Sequence, residues 1–227
     1  MKKIVIILAS RLGSTRLPKK ALKPMAGCDS MLELIIKRLR SSKKANDVIV
    51  ATEEKSYDSF KNIFDKLKCS YFIGSEEDVL NRYTKAAENF NADIVVRATG
   101  DNPLVSIKAL DMIVDYHIDK NADLSHYDLL PYGSGVEVIN YEALKYADDN
   151  SKDPFEHEHI TQYHYRHADK FKIENPKVTE SFAMPDLRTT VDTIEDYNNV
   201  CNIFNKYNND IYIDVDTIIS DIINERK

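Results

Sequence analysis

Cysteine, long apolar runs and an excess of positive charge are all missing or scarce in this chain of 227 residues. Its three cysteines, Cys28, Cys69 and Cys201, are an odd and widely scattered set. Such a set does not form a disulfide framework, so we expect small buried thiols in a reducing, cytoplasmic setting. No apolar run approaches the roughly 18 residues that a membrane-spanning helix needs, so we expect no membrane partner.

The formal net charge of −6 argues against a general nucleic-acid partner, because affinity for the phosphate backbone comes from clustered Lys and Arg. The composition is 43% hydrophobic and 30% charged, without a low-complexity stretch, a linker or an internal repeat. Lys2 and Lys3 before apolar residues could mimic a secretory signal, but the apolar run is short and ends at Arg11 without a small-residue cleavage site. We therefore expect no leader and a single domain over residues 1–227.

Apolar strand patterns alternate with amphipathic helix patterns through the first half of the chain. The predicted strands are residues 4–9, 47–51, 69–73, 93–98, 121–127, 136–139, 171–173 and 187–191. The predicted helices are residues 29–40, 56–67, 76–90, 141–149, 155–167, 194–206 and 214–224. This alternation predicts an α/β fold with a mostly parallel central sheet flanked by helices, modified beyond residue 120.

A polar loop follows the first predicted strand and is rich in cations. Arg11, Arg16 and Lys20 lie within ten residues, together with Gly13 and the hydroxyls of Ser14 and Thr15. Guanidinium groups and turn amides of this kind bind triphosphates, and loops at the carboxyl ends of parallel strands are where open α/β sheets bind ligands. The loop matches neither G-x-x-x-x-G-K-[ST] nor G-x-G-x-x-G. A solvated basic loop is the alternative interpretation.

Two aspartates follow predicted strands and would face that loop. Asp101 comes after strand 93–98, beside Gly100, and a carboxylate there suits Mg²⁺, which takes one or two carboxylates plus substrate phosphates. A turn-capping role is the alternative for Asp101. Asp192 follows strand 187–191 and precedes a helix, so its local pattern favours a helix N-cap.

The opening sequence ILASRLGSTRLPKKALKPMAG resembles the amino-terminal motif A-R-x-x-S-T-R-L-P-x-K of sugar cytidylyltransferases, which make CMP-3-deoxy-manno-octulosonate and CMP-acylneuraminate. It is most similar to the spore-coat polysaccharide (SpsF-like) branch. Residues 74–83, 97–104 and 190–196 are similar to further motifs of that branch and occur in the same order. Ser10 stands where many relatives have Ala or Gln, and Lys19 where Gly is common.

This resemblance implies a single Rossmann-like (GT-A-like) nucleotidyltransferase domain, with residues 1–120 binding the nucleotide and residues 121–227 binding the acceptor sugar and contacting another subunit. It implies a cytoplasmic, Mg²⁺-dependent enzyme, expected to be a homodimer, that joins CTP to an acidic sugar of the nonulosonate or octulosonate type. The products would be pyrophosphate and a CMP-sugar for surface polysaccharide biosynthesis.

The resemblance also implies the site. The expected catalytic groups are Arg11, Arg16, Lys20 and Asp101, and Asp101 and Asp192 are the expected metal ligands. The expected substrate-binding residues are Leu8, Ala9, Ser10, Arg11, Gly13, Ser14, Arg16, Lys20, Thr52, Arg82, Gly100, Asp101, Glu158 and His159. Glu156 is expected to border the acceptor pocket with the last two.

Three alternatives compete with this interpretation. Asp214 and Asp216 match the D-x-D metal motif of glycosyltransferases that use ready-made nucleotide sugars, although acidic residues also suit the start of a helix. The histidines at 157, 159, 164 and 167 suggest zinc, but their spacing is not H-E-x-x-H. A protein that binds nucleotide without turnover is the third alternative.

Overall fold

A computed structural model describes residues 2–226 of the chain, which form a seven-stranded sheet with helices on both faces. The strands are β1 Ile4–Ala9, β2 Asp47–Thr52, β3 Ser70–Ile73, β4 Ile94–Thr99, β5 Leu124–His126, β6 Glu137–Asn140 and β7 Ile173–Glu174. The helices are α1 Met31–Leu39, α2 Glu54–Leu67, α3 Val79–Asn89, α4 Ile107–Lys120, α5 Tyr141–Asn150, α6 Pro154–Glu158, α7 Gln162–Arg166, α8 Ile194–Lys206 and α9 Val215–Glu225.

The order of the sheet is β3-β2-β1-β4-β6-β5-β7, with β1 near its centre. The strands β3, β2, β1 and β4 are parallel, and β6 pairs antiparallel with both β4 and β5. The predicted mostly parallel sheet with a modified second half is confirmed, and the modification is the antiparallel strand β6. The carboxyl ends of β1 and β4 lie side by side, so the loops that follow them share one edge of the sheet.

Two apolar clusters cover the two faces of the sheet, because successive side chains of a strand point to opposite sides. Ile6 and Leu8 of β1 pack with helices α1, α2, α4 and α8 in one cluster. Val5 and Ile7 pack with α3, α5 and α7 in the other. All four side chains are fully buried, which explains the unbroken apolar sequence of this strand.

The second half of the chain differs from prediction in two places. Residues 187–191 are not a strand, since this segment runs between loops and makes only a single bridge from Arg188 to Tyr132. The predicted helix 155–167 is two short helices, α6 and α7, and Ile160 between them is buried in the second cluster. The structure adds α4, which no sequence pattern had predicted.

All three cysteines are free thiols. Cys28 and Cys69 are buried as expected, whereas Cys201 is half-buried. Burial raises the pKa of Cys69 to about 11, so this thiol is unreactive at neutral pH. Within residues 2–226, no helix combines the length and the apolar character needed to cross a lipid bilayer.

Candidate active site

A cleft of about 300 Å³ opens at the carboxyl ends of β1 and β4. Three stretches of sequence meet in it: the loop after β1, the loop after β4 and the segment before α8. The residues that line it are Ala9, Ser10, Arg11, Gly13, Ser14, Thr15, Arg16, Lys20, Ala21, Arg82, Thr99, Gly100, Asp101 and Asp192. The cationic loop and the two aspartates, predicted separately, therefore face one another.

Gly100 allows the loops after β1 and β4 to touch. Its amide donates to the Ala9 carbonyl at 2.7 Å. A Cβ at this position would lie 2.7 Å from Ser10 Oγ and 2.9 Å from the Ala9 carbonyl oxygen, closer than real Cβ contacts. Only glycine fits this approach without movement of the neighbouring backbone.

A buried carboxylate holds the start of the cationic loop after β1. Glu53 caps α2 by accepting from the Ser56 amide, and it also accepts from Ser56 Oγ at 2.5 Å. Ser56 Oγ in turn accepts from the Leu12 amide at 2.8 Å. Sequence reasoning missed Glu53, because an acidic residue at the start of a helix has an ordinary capping role. The hydrogen bonds that link Glu53, Ser56 and Leu12 fix the start of the loop.

The Lys20 ammonium lies between the two aspartates. Its Nζ is 3.4 Å from Asp101 Oδ2 and 3.2 Å from Asp192 Oδ1, and it donates to the Val191 carbonyl at 2.7 Å. The backbone tightens the same arrangement, since the Val191 amide donates to the Asp101 carbonyl at 2.8 Å. Two aspartates 91 residues apart in the sequence thus converge on one positive group.

Asp192 also contacts two arginines from different parts of the chain. Arg16 Nη2 lies 3.0 Å from Asp192 Oδ1, and Arg188 Nη2 lies 2.8 Å from Asp192 Oδ2. The second arginine also binds Asp196 through Nε at 2.7 Å, and this pairing lowers the pKa of Asp196 well below its usual range. Arg188 was not among the predicted site residues.

The interpretation of Asp192 as a helix cap is wrong. Thr193 is the N-cap of α8, and Thr193 and Asp196 form a capping box by accepting each other's backbone amides. The Asp192 carboxylate is therefore directed to the cleft. Its own amide donates to Asp196 Oδ2 at 3.0 Å.

The oxygens around Lys20 Nζ fit a divalent metal ion. Asp101 Oδ2, Asp192 Oδ1 and the Val191 carbonyl converge on one cationic atom within 3.4 Å. Carboxylate and carbonyl oxygens are the ligands that Mg²⁺ takes in proteins, and it completes its shell with water and substrate phosphate. This donor set suits a hard cation and offers no thiolate or imidazole to a softer one.

Arg82 of α3 is a further cationic residue that lines the cleft. Its Nη1 donates to the Ser75 carbonyl at 2.5 Å, whereas its buried Nε has no partner among the described residues. Burial lowers the pKa of this guanidinium. Gly74 leaves space for the aliphatic part of the Arg82 side chain, since a Cβ at residue 74 would lie 2.8 Å from Arg82 Cγ.

Four predicted substrate-binding residues lie elsewhere among the described residues. The side chains of Leu8 in β1 and Thr52 at the end of β2 are fully buried in the sheet. Glu158 and His159 are exposed at the end of α6, where the His159 ring packs on Phe155 with centroids 4.5 Å apart. Their expected contact with substrate stays a prediction that the cleft does not support.

A second cavity of about 290 Å³ adjoins the first. Thr99 lines both cavities, and Asn102 of the second directly follows Asp101 of the first. The lining residues are Arg97, Thr99, Asn102, His126, Tyr127, Leu130, Pro131, Tyr132, Gly133, Gly135, Val136 and Glu137. Most of them belong to the turn-rich region beyond residue 120, where the acceptor pocket is expected.

The acidic motif of the glycosyltransferase alternative has a structural role. Asp214 is the N-cap of α9, and its carboxylate also accepts from Ser106 Oγ at 2.5 Å and from the Lys108 amide at 3.0 Å. Asp216 pairs with the Lys108 ammonium at 2.7 Å. Neither aspartate lines the cleft. The capping interpretation of this motif is confirmed.

The four histidines of the predicted zinc alternative contact different groups. His157 Nδ1 is 2.8 Å from Asp78 Oδ1, and His164 Nε2 is 3.1 Å from the Ala143 carbonyl. The rings of His159 and His167 pack on Phe155 and Tyr163 respectively. These separate contacts agree with the spacing argument against a shared zinc ion.

The cationic loop and the facing carboxylates lie at the carboxyl edge of a mostly parallel sheet, an arrangement suited to a nucleotide. A family model described as cytidylyltransferase matches residues 4–220, and the chain belongs to this family. The spore coat polysaccharide biosynthesis protein SpsF of Bacillus subtilis (strain 168) is 33% identical over 214 residues, which cover 91% of this chain and 88% of SpsF. The resemblance found in the sequence motifs is thereby confirmed.

Solved structures support the same assignment. A cytidylyltransferase from Leptospira borgpetersenii serovar Hardjo-bovis has 31% sequence identity and a TM-score of 0.90, covering 100% of this chain and 95% of that one. The structure of CMP:2-keto-3-deoxy-manno-octonic acid synthetase complexed with CTP has 17% identity and a TM-score of 0.72, covering 90% and 99% respectively. At that identity the second likeness shows the fold alone.

Proposed function

We propose that this cytidylyltransferase joins CTP to an acidic sugar of the nonulosonate or octulosonate type and that it depends on Mg²⁺. The products are pyrophosphate and a CMP-sugar for surface polysaccharide biosynthesis. The observation that carries the proposal is the single cleft in which Arg11, Arg16 and Lys20 face Asp101 and Asp192. The names of SpsF and of the CMP-sugar synthetase with the same fold support a sugar acceptor.

The charges of the cleft suit a triphosphate better than a neutral ligand. Four cations line it, Arg11, Arg16, Lys20 and Arg82, against the carboxylates of Asp101 and Asp192. The side chains therefore leave an excess of positive charge, which a strongly anionic triphosphate would compensate. Gly13 and Ser14 lie in the same wall, and the Ser14 hydroxyl would add a donor to the phosphate oxygens.

The reaction needs positioning and charge compensation more than covalent chemistry. A sugar hydroxyl attacks the α-phosphorus of CTP in line, the new O–P bond forms, and the bond to pyrophosphate breaks while the hydroxyl proton passes to solvent. Arg11, Arg16 and Lys20 bind the β- and γ-phosphates and compensate the charge that develops on the leaving group. Asp101, Asp192 and the Val191 carbonyl would hold Mg²⁺, which when bound polarises the α-phosphate.

The acceptor sugar would bind in the second cavity. It meets the nucleotide cleft at Thr99, next to Asp101, so a sugar there would present a hydroxyl to a nucleotide bound in the first cavity. The expected homodimer stays a prediction, which light scattering of the purified chain would measure.

Release of pyrophosphate tests the proposed function. The chain is incubated with each of the four nucleoside triphosphates, a panel of sugar acids and Mg²⁺. We expect pyrophosphate only with CTP and one class of sugar acid, and none from Asp101→Asn. Turnover of a ready-made nucleotide sugar without pyrophosphate would favour the glycosyltransferase alternative, and CTP binding without any turnover would favour the nucleotide-binding alternative.

A further inference from the structure

An ion pair joins two neighbouring strands at the wall of the second cavity. Arg97 of β4 and Glu137 of β6 are direct partners in the antiparallel register, so their side chains project from the same face of the sheet. Arg97 Nη1 lies 2.5 Å from Glu137 Oε2. Both residues line the cavity.

Glu137 is held by more than the arginine. Its Oε1 accepts from the Tyr165 hydroxyl at 2.9 Å, and its Oε2 also accepts from Thr161 Oγ1 at 3.4 Å. The Tyr165 oxygen is also 3.0 Å from His126 Nδ1. Tyr165 of α7 and Thr161, which directly precedes this helix, hold the Glu137 carboxylate in place, and the carboxylate in turn holds the Arg97 guanidinium.

Glu137 stays ionised in this setting. Burial alone would raise the pKa of its carboxyl, but the charge of Arg97 and the hydrogen bond from Tyr165 lower the pKa below its ordinary value. The pair is therefore a true ion pair in which one edge of the guanidinium is engaged.

The remaining donors of Arg97 are open to the cavity. A guanidinium carries five N–H groups, and Glu137 engages it only through Nη1. The Arg97 side chain is 31% exposed, although it belongs to a central strand. A partly buried ion pair adds little stability compared with apolar residues of the same size, so stability alone does not account for an arginine here. A guanidinium with a free edge matches the planar geometry of a carboxylate.

We propose that Arg97 recognises the carboxylate of the acceptor sugar and that Glu137, fixed by Tyr165, positions the Arg97 guanidinium for this contact. The inference rests on the proposed function, because it names the group by which the acceptor is selected. Thr99 lies two residues further along β4 and projects from the same face, so a carboxylate bound at Arg97 lies beside the junction of the two cavities. Arg97 determines specificity, and Glu137 acts through Arg97 as a positioning residue.

The first test compares a sugar acid with its methyl ester in wild type and in Arg97→Met. Charge-assisted hydrogen bonds of this kind correspond to about 10- to 100-fold in binding. We expect the KM for the acid to rise by that factor in Arg97→Met, with the preference for acid over ester lost and the Kd for CTP unchanged. Arg166→Met is the matched control, because Arg166 is an exposed arginine of α7 outside both cavities.

Glu137→Gln tests the positioning role separately. We expect an intermediate rise in the KM for the acid, roughly 5- to 20-fold, with kcat less affected, since the guanidinium remains but is less well oriented. A KM for the ester that stays at the wild-type value distinguishes this role from a general loss of structure.

The outcomes separate this inference from the proposed function. If wild type releases no pyrophosphate with any sugar acid, the proposed function fails. If wild type does, but Arg97→Met keeps its preference for the acid, the role of Arg97 is refuted. If Arg97→Met also loses CTP binding, the KM for the acid is measured in Arg97→Lys instead, because lysine keeps the positive charge but lacks the planar guanidinium. An unchanged KM for the acid in a folded Arg97→Lys would then overturn the proposal.

Discussion

The ammonium of Lys20 lies 3.2 Å from Asp192 Oδ1, although 172 residues separate the two in the chain. This contact joins the loop after the first strand to the segment before α8 across the carboxyl edge of the sheet. Lys20 is thereby placed between the same oxygens that would hold a metal ion. Lysine and metal ion would compete for one set of ligands.

Replacing Lys20 by methionine tests this competition. Lys20 Nζ lies 3.4 Å from Asp101 and 3.2 Å from Asp192, and at an intermediate dielectric each of these pairs has a gross attraction of about 4 kcal/mol. We expect Lys20→Met to bind Mn²⁺ at least about tenfold more tightly than wild type without nucleotide, as measured by electron paramagnetic resonance of free Mn²⁺. Lys19→Met is the control, because Lys19 is exposed. Equal Mn²⁺ affinities in wild type, Lys20→Met and Lys19→Met would contradict the competition. If the double variant Lys20→Met/Asp101→Asn bound Mn²⁺ as tightly as Lys20→Met, the metal site at Asp101 would be refuted.

Alanine at Gly100 is expected to disturb the contact between the loops after β1 and β4. The added Cβ would lie 2.7 Å from Ser10 Oγ and 2.9 Å from the Ala9 carbonyl oxygen. Overpacking of this kind costs about 1–3 kcal/mol of stability. Gly13→Ala is a matched control, since a Cβ there meets no atom within 4 Å. Urea unfolding of both variants measures the difference, and a similar loss in the two would refute the steric explanation.

Glu53→Ala is expected to weaken both α2 and the binding of CTP. The cap itself contributes about 0.5–2 kcal/mol. The variant also frees Ser56, whose hydroxyl accepts from the Leu12 amide in the cationic loop after β1. We expect a rise in the Kd for CTP, measured by calorimetry, on top of the loss of stability. The adjacent exposed Glu54 provides the control variant Glu54→Ala, and equal CTP affinities in the two variants would show that the anchor has no effect on the loop.

His157 links α6 to the start of α3 in a way that depends on pH. Burial lowers the pKa of this imidazole, but hydrogen bonds to Asp78 and to the Ser151 carbonyl raise it, and the net pKa is raised. A raised folded-state pKa stabilises the fold fully below the unfolded value of about 6.5, and the stabilisation is lost as pH rises through the folded value.

Unfolding in urea at pH 5.5 and pH 8.5 measures this contribution. We expect His157→Asn to lose on the order of 1 kcal/mol more at pH 5.5 than at pH 8.5. His159→Asn, which changes an exposed ring two residues away, should show no such difference. Burial lowers the pKa of His117 and His164, which gives the opposite dependence, but both residues are unchanged in the comparison and cancel.

The parts of the site that follow from local sequence were predictable. The loop after β1 could be found because a fully buried strand has an unbroken apolar sequence and a polar end. Asp101 could be placed beside that loop because parallel strands bring their carboxyl ends to one edge. Asp192 was placed by resemblance, against its local pattern, because no sequence rule states which of two adjacent residues caps a helix.

Other parts depend on contacts that sequence spacing does not encode. Residues 187–191 have a strand-like pattern but no neighbouring strand to pair with, so only the bridge to Tyr132 forms. The pair of Arg97 and Glu137 depends on the register between β4 and β6, which are not adjacent in the chain. Glu158 and His159 were assigned by resemblance alone, in a segment where the predicted helix is broken.

Capping of α8 and contact with the cleft are carried out by different residues. Thr193 and Asp196 form the capping box of α8, so the neighbouring Asp192 is not needed to cap the helix. A change at residue 192 therefore leaves the cap of α8 in place, and its effects arise from the ion pairs with Arg16, Lys20 and Arg188 in the cleft.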